Sequence, residues 1–461
     1  MTITRRELCA RLGAITAGFA GLHRGLAADS DRSSLAAEAG SYGDLLPDPE
    51  GILDLPKGFR YQVFSKTGET MDDGLLVPPS HDGMAAFPGP GGKTILVRNH
   101  EVNVNEEATG AFGDQQELAK DFPWDRFYDP GTARHAALGG TTTLVYDTRT
   151  QRLEQHSLSL TGTVRNCAGG PTPWMSWITC EESVLRASDP LSRDHGYNFE
   201  VPATAKMQVF EPVPLKAMGR FNHEAIAVHP RSGIVYQTED RGDGLIYRFI
   251  PDERGRLARG GRLQALALLD KKSADTRNWE VTEIEPGRRW PVRWVDIDNV
   301  ESPEDDLRLQ GFDRGAALFA RGEGIWANGD EIYFACTSGG GARGGQIWRY
   351  VASAHEGTAE ENREPATLDL FLEPNDTNLL EYADNLTIAP WGDLVLCEDG
   401  AGVDHILGVT LDGQIYKLGR NAMNESEFAG AVFSPDGDTL FVNIQSPGLT
   451  LAITGPWRRS G

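Results

Sequence analysis

Short apolar runs rich in β-branched and aromatic side chains are broken throughout this chain by Gly, Pro and Asp, and long helical periodicity is scarce. The runs recur as one unit: a polar residue, an apolar strand, a Gly-containing turn, a second apolar strand and a closing polar residue. Asp82-Gly83-Met84-Ala85-Ala86-Phe87 turns and returns as Thr94–Val97 to Asn99-His100-Glu101. Asn166-Cys167 returns through Trp177-Ile178-Thr179-Cys180 to Glu181-Glu182, and His223-Glu224-Ala225-Ile226 through Val235-Tyr236 to Glu239-Asp240. Arg321-Gly322-Glu323-Gly324-Ile325-Trp326 returns to Cys336-Thr337-Ser338, Asp384-Asn385-Leu386 to Cys397-Glu398-Asp399, and Glu427-Phe428-Ala429-Gly430 to Val442-Asn443-Ile444-Gln445. Six antiparallel hairpins of this kind predict an all-β, six-bladed β-propeller with irregular insertions. A two-sheet sandwich is the alternative architecture. Residues 29–50 and the Arg/Glu-rich stretch 354–365 read as exposed connections.

In a hairpin, the start of the first strand and the end of the second lie at the same end. The unit therefore sets Glu224 beside Glu239 and Asp240, and Asp384 beside Glu398 and Asp399. It sets Cys167 beside Glu181 and Glu182, and Glu323 beside Thr337 and Ser338. Radial blades bring these ends together at one mouth of the central channel. Carboxylates so gathered cannot all stay ionised without partners, and cations are the natural ones. Oxygen donors suit hard ions such as calcium, whereas a thiolate suits iron or another transition metal. A buried structural role for Cys167, or a solvated one for any single Glu, is the competing reading.

Arg321 lies two residues before Glu323, on the same face of a strand, and offers a bidentate fork for phosphate oxygens; a salt bridge to a neighbouring carboxylate is its alternative. Arg343, in the run Gly339–Gly345, is a second candidate for binding substrate, although that run lacks the Lys-Ser/Thr ending of a phosphate loop. His100 and His223 each precede a Glu; they read as structural residues, with metal ligation or a role as an acid as the alternative.

Charge sharpens the picture. The 461-residue chain carries a formal net charge of -23 and has a pI near 4.9, which argues against nucleic acid and anionic membrane surfaces as partners. Thr4-Arg5-Arg6-Glu7-Leu8, an apolar stretch from Leu12 to Leu22 and small residues Ala27 and Ala28 read as a twin-arginine signal peptide over residues 1–28. That stretch is too short to anchor the chain in a bilayer. Export would carry residues 29–461, a single folded domain, to the periplasm or beyond. Cys9 falls in the signal, while Cys167, Cys180, Cys336 and Cys397 show no zinc-like spacing and could be free or paired. No exposed heptad or apolar edge stands out, so a monomer is expected.

The strings Arg98-Asn99-His100-Glu101, Asn166-Cys167-Ala168-Gly169-Gly170 with Thr172-Pro173-Trp174 and Thr179-Cys180-Glu181-Glu182, Gly219-Arg220-Phe221-Asn222-His223-Glu224, Arg321-Gly322-Glu323-Gly324, and Phe433-Ser434-Pro435-Asp436-Gly437 with Phe441–Gln445 resemble the PhoX alkaline phosphatase family, from about Leu53 to Trp457. The resemblance implies a propeller, twin-arginine export and hydrolysis of small phosphomonoesters at an iron(III)–calcium cluster. It implies Cys167 as thiolate ligand to iron, with Glu224, Glu323 and one of Glu181 or Glu182 as carboxylate ligands. Arg321 and Glu323 would carry the catalytic work, with Arg321 holding the phosphate. Glu239, Asp240, Asp384, Glu398 and Asp399 are the remaining candidates for calcium. Two other readings compete: a calcium-dependent propeller lactonase or other hydrolase, which needs no thiolate, and a non-catalytic calcium-stabilised binding propeller.

Overall fold

The computed structural model describes residues 42–104, 110–114, 116–132 and 136–458; the expected signal peptide lies outside them. The described chain is all-β, with strands arranged in five antiparallel sheets. The six first strands of the repeating unit are His81–Pro88, Asn166–Pro171, His223–Val228, Gly322–Asn328, Ala383–Ile388 and Phe428–Phe433. Each packs against the next, and the last returns to the first, closing a ring about a central axis. This is a propeller-like arrangement.

Each first strand leads outward into its sheet. His81–Pro88 opens a four-stranded sheet and Asn166–Pro171 a three-stranded one. His223–Val228 and Gly322–Asn328 lie at opposite edges of one nine-stranded sheet. Two hairpins share it because Arg289–Asp296 pairs with Gly261–Leu268 on one side and Thr367–Leu372 on the other. The ring is tied shut near the termini: Arg60–Lys66, early in the chain, adds a strand to Leu449–Thr454, late in it. Pairing distant segments in one sheet removes an edge that would otherwise be exposed.

First strands are buried on both faces, so they read as near-continuous apolar and small residues rather than alternating ones. Small residues are required where six strands converge. A Cβ on Gly83 would sit 2.6 Å from the Cα of Ala168, and one on Gly324 would sit 2.6 Å from the amide nitrogen of Leu386. Between the converging first strands lies a cavity of only about 20 Å³, lined by Gly83, Ala168, Ala225, Gly324 and Gly430 among others. The first strands are therefore closely packed where they converge. Farther out, Ile178, Ile226, Val235 and Phe249 fill one inter-sheet layer, each such side chain contributing roughly 1.5–3 kcal/mol by burial.

The stretch 354–365 is largely exposed, as expected of a connection, with Glu356 the exception. Its Glu356 is buried and accepts hydrogen bonds from Tyr236, Tyr350 and Arg248, while Glu361 takes a second pair from Arg248. Charge did not mark that exception, which exists because the buried Arg248 guanidinium needs carboxylate partners.

Candidate active site

All six first strands carry the same irregularity at the same place. In the first, His81 pairs with His100 and Met84 with Arg98, so Asp82 and Gly83 oppose one residue. The same bulge displaces Cys167-Ala168, Glu224-Ala225, Glu323-Gly324, Asp384-Asn385 and Gly430-Ala431. A bulge re-aims a side chain that regular pleating would direct elsewhere. Its first position holds Asp82, Cys167, Glu224, Glu323 and Asp384 in turn. The sixth holds Gly430, at φ +63°, where a Cβ would meet the carbonyl oxygen of Asp82 at 2.5 Å. Two residues ahead of four of these positions, Ser80, Arg165, Arg321 and Tyr382 adopt φ of 50°, 48°, 57° and 53°.

The second strands end in an equally regular way. The amides of Glu101, Glu182, Asp240, Thr337 and Asp399 donate to the carbonyls of Ser80, Arg165, Asn222, Arg321 and Tyr382, at 2.9–3.2 Å. These residues rim the mouth. The residues just before them, by strand alternation, face the other way. Glu181 accepts from the amides of Val164, Gly196 and Tyr197 and lies 2.7 Å from His195 Nδ1. Glu239 accepts from the Leu245 amide and the Tyr247 hydroxyl, and Glu398 from the amides of Glu381 and His405. Glu181, Glu239 and Glu398, all candidate ligands by sequence, are thus turned to structural tasks away from the mouth. The doublets Glu181-Glu182, Glu239-Asp240 and Glu398-Asp399 each divide into one inward-working and one mouth-facing member.

What converges is a cluster of acids and one thiol. Donor atoms of Cys167, Glu182 and Glu224 all lie within 4.8 Å of one another, as do those of Glu224, Glu323 and Asp384. Asp82, Glu101 and Glu427 form a third such group. The sequence reading assigned no role to these last three. The signal was there, since Asp82 and Glu101 open and close the first copy of the repeat and Glu427 opens the last. Asp240 and Asp399 stand beside the cluster, and Asp399 bears electrostatically on Asp384 and Glu427.

Gathering these groups is costly. Burial raises Asp82, Glu224, Glu323 and Glu427 far above the usual carboxylate range, with neighbouring carboxylates adding to the effect. Burial and Asp399 push Asp384 up to about 7, and burial carries Glu182 up to about 9 despite Arg165. Burial and Glu224 likewise push the Cys167 thiol up. The buried Asp384 Oδ1 has no hydrogen-bond partner among the described residues. Such a donor set fits cations: the thiol beside two carboxylates suits a transition metal, and the all-oxygen groups suit calcium.

Arg321 places its guanidinium on both oxygens of Asp240, at 2.7 and 3.0 Å, and 2.9 Å from Glu323. The salt-bridge alternative is therefore present in the structure, at the mouth itself. Arg165, which the sequence reading passed over, bonds Glu101 at 3.0 Å and also pairs with Glu182. Arg343 lies apart, over the ring of Trp279 and 3.5 Å from Glu280, and is not brought to the cluster. His223 is buried 3.0 Å from the Gly219 carbonyl, and His100 is 2.9 Å from the Pro79 carbonyl, so both have structural partners. Cys167, Cys180, Cys336 and Cys397 are all free and buried. Cys180 and Cys397 each oppose a bulge.

The profile of the family described as alkaline phosphatase PhoX matches residues 40–448. Among solved structures, the chain is similar to Pseudomonas fluorescens PhoX in complex with vanadate, a transition state analogue, with 18% identity and a TM-score of 0.65 over 89% of this chain and 97% of that one. It is also similar to XC5397 from Xanthomonas campestris, a gluconolactonase, with 13% identity and a TM-score of 0.41 over 90% of this chain and 98% of that one. No curated protein sequence matches. At 18% identity the likeness to the Pseudomonas fluorescens structure speaks for the fold, whereas the profile spans most of the chain: it belongs to the alkaline phosphatase PhoX family of enzymes.

Proposed function

We propose that this chain is an exported, metal-dependent phosphomonoesterase that releases phosphate from small organic phosphoesters at an iron–calcium centre. The observation that carries the reading is the meeting of Cys167 with Glu182 and Glu224, joined through Glu224 to Glu323 and Asp384. Cys167, Glu182 and Glu224 would hold iron. Glu323, Asp384, Asp82, Glu101 and Glu427 would hold calcium, with Asp240 and Asp399 as outer carboxylates. When bound, the ions supply Lewis acidity and neutralise an anionic substrate.

The chain's own residues do the rest. The mouth is the route of approach. Arg321 presents a planar fork to the equatorial oxygens of the phosphoryl group, releasing part of its hold on Asp240. The bulges fix donor directions before substrate arrives, so little reorganisation is needed. Glu323 anchors both the cluster and Arg321, which couples substrate binding to metal loading.

The finer architecture follows the same reading. Dividing the nine-stranded sheet at Arg289–Asp296 gives six blades, one per repeat. Residues 29–461 form one domain, delivered as a folded monomer by the twin-arginine route after residues 1–28 direct it there, to the periplasm or outside the cell. No helix among the described residues is long and apolar enough to cross a membrane. The test is elemental analysis of natively exported protein alongside p-nitrophenyl phosphate hydrolysis before and after chelation. Iron with calcium, and turnover abolished by chelation, supports the reading. Calcium without iron, and no turnover in loaded protein, overturns it.

A further inference from the structure

A cavity of about 550 Å³ opens beside the cluster, sharing Arg165 and Glu182 with it. Its wall continues through Asn222 and Arg241, and Val184 and Leu185 give it an apolar side. The lining carries two guanidinium groups and one carboxylate, and Glu101 and Asp305 pair with those guanidiniums from outside it. That carboxylate, Glu182, is also one of the groups proposed to hold iron, so a bound cation would offset it.

The backbone ties the cavity to the phosphate-binding arginine. The Arg321 amide donates to the Arg241 carbonyl at 3.0 Å. Arg241 and Arg321 are therefore neighbours through the backbone, while Arg165 and Glu182 join the cavity to the cluster. Arg241 reaches Asp305 at 2.9 Å and Asn222 at 3.3 Å, while its buried Nε has no hydrogen-bond partner among the described residues. Joined to Arg321 in this way, the cavity offers room for the alcohol portion of a phosphoester gripped by that arginine. The volume lies in the range of small-molecule sites.

We infer that the cavity receives the leaving alcohol and favours alcohols that carry a second anionic group, a carboxylate or another phosphate. This rests on the phosphatase reading and names its substrate class. Arg241 is the specificity-determining residue, because a fork at fixed distance from Arg321 selects molecules with two negative ends. Apolar Val184 and Leu185 cover the short carbon chain between those ends.

The test compares 2-phosphoglycerate with glycerol 2-phosphate, which share a secondary phosphoester and differ by a carboxylate. In metal-loaded protein, kcat/KM for the phosphoglycerate should exceed that for the glycerol ester about tenfold, equivalent to ~1.4 kcal/mol. Arg241→Gln should bring the two within about twofold of each other. Should that variant not fold, Leu185→Glu, at a residue 45% exposed, adds a carboxylate to the same wall and should lower the ratio likewise. Turnover of both esters with a ratio near one, or a ratio unmoved by these substitutions, overturns the inference and leaves the phosphatase reading intact. Turnover of neither ester overturns the phosphatase reading and the inference with it.

Discussion

The side-chain amide of Asn99 donates to the backbone carbonyls of Cys167 and Ala168, at 3.1 and 2.7 Å, while its own carbonyl accepts from Trp177 Nε1 at 2.8 Å. One residue of the first hairpin thus holds the bulge of the second. The same device recurs around the ring: Asn443 donates to the Asp82 carbonyl at 2.6 Å, and Thr238 to the Glu323 carbonyl at 2.6 Å. The donor directions of the mouth are set by neighbouring hairpins and not by each strand alone. Asn99→Ala would leave two carbonyls and an indole N–H buried without their partner, at a cost of about 2–4 kcal/mol. Calorimetry should show a lower melting temperature, and elemental analysis a loss of iron relative to calcium. Full iron content would sever the proposed link between Asn99 and the Cys167 geometry.

Cys167→Ser tests the thiolate itself. The hydroxyl matches the thiol in shape but is a far weaker ligand for a transition metal. Iron content should fall sharply while calcium is retained, and phosphatase turnover should go with the iron. Retention of both metals would remove Cys167 from the centre.

The hairpin doublets offer an internal control. Glu181 belongs to a buried set with His195 and Asp129, in which both carboxylates raise His195 to about 9 against the effect of burial. Glu181→Gln breaks a buried ion pair and should cost about 3–5 kcal/mol of stability, with metal content preserved in whatever folds. Glu182→Gln should do the reverse: the metal-free protein melts no lower, and higher at alkaline pH, while metal loading drops. Equal effects from the two would mean that alternation does not divide the doublet as described.

Much of this was legible in the sequence, and the limits are physical. The recurring polar residue at each hairpin mouth marked Cys167, Glu224, Glu323 and Asp384 because a repeated polar interruption of an apolar strand needs a reason. Which member of Glu181-Glu182 faces the mouth was not legible, since that depends on register, and a shift of one residue exchanges the faces. The bulges decide it, and no residue type announces them. Asp82, Glu101 and Glu427 were visible in the repeat but lacked a neighbour in sequence to give them meaning. Arg343 stood behind Arg321 as a second candidate because it lies in a glycine-rich run. Only Arg321 sits at a bulge entry, whereas Arg343 rests on Trp279.

Arg321→Ala should lower kcat/KM for p-nitrophenyl phosphate about 100- to 1,000-fold, the scale of losing one preorganised donor to transition-state charge, ~2.7–4 kcal/mol. Arg321→Lys restores the charge without the fork and should recover only a small part. Metal content must be measured in both, because Asp240 and Glu323 lose a shared partner. A full-activity alanine variant would assign phosphate binding elsewhere.

The carboxylate cluster also predicts an inverted pH dependence of stability when metals are removed. Asp384 rises from an ordinary value of 3.8 to about 7, and Glu182 from 4.5 to about 9. Between those values the folded protein holds protons that the unfolded chain has released, so stability falls as pH rises across that window. Below about pH 4 both states are protonated and this term disappears. Chelated protein should therefore melt higher at pH 5 than at pH 9, as far as these groups govern the difference. Bound cations change the sign of the problem. They stabilise the ionised carboxylates, which compete less with protons as pH rises, so saturating calcium and iron should raise the melting temperature more at pH 9 than at pH 5. Scanning calorimetry at both pH values, with and without chelator, measures the four quantities. A metal-induced shift larger at pH 5 than at pH 9 would show that the mouth carboxylates are not the ligands.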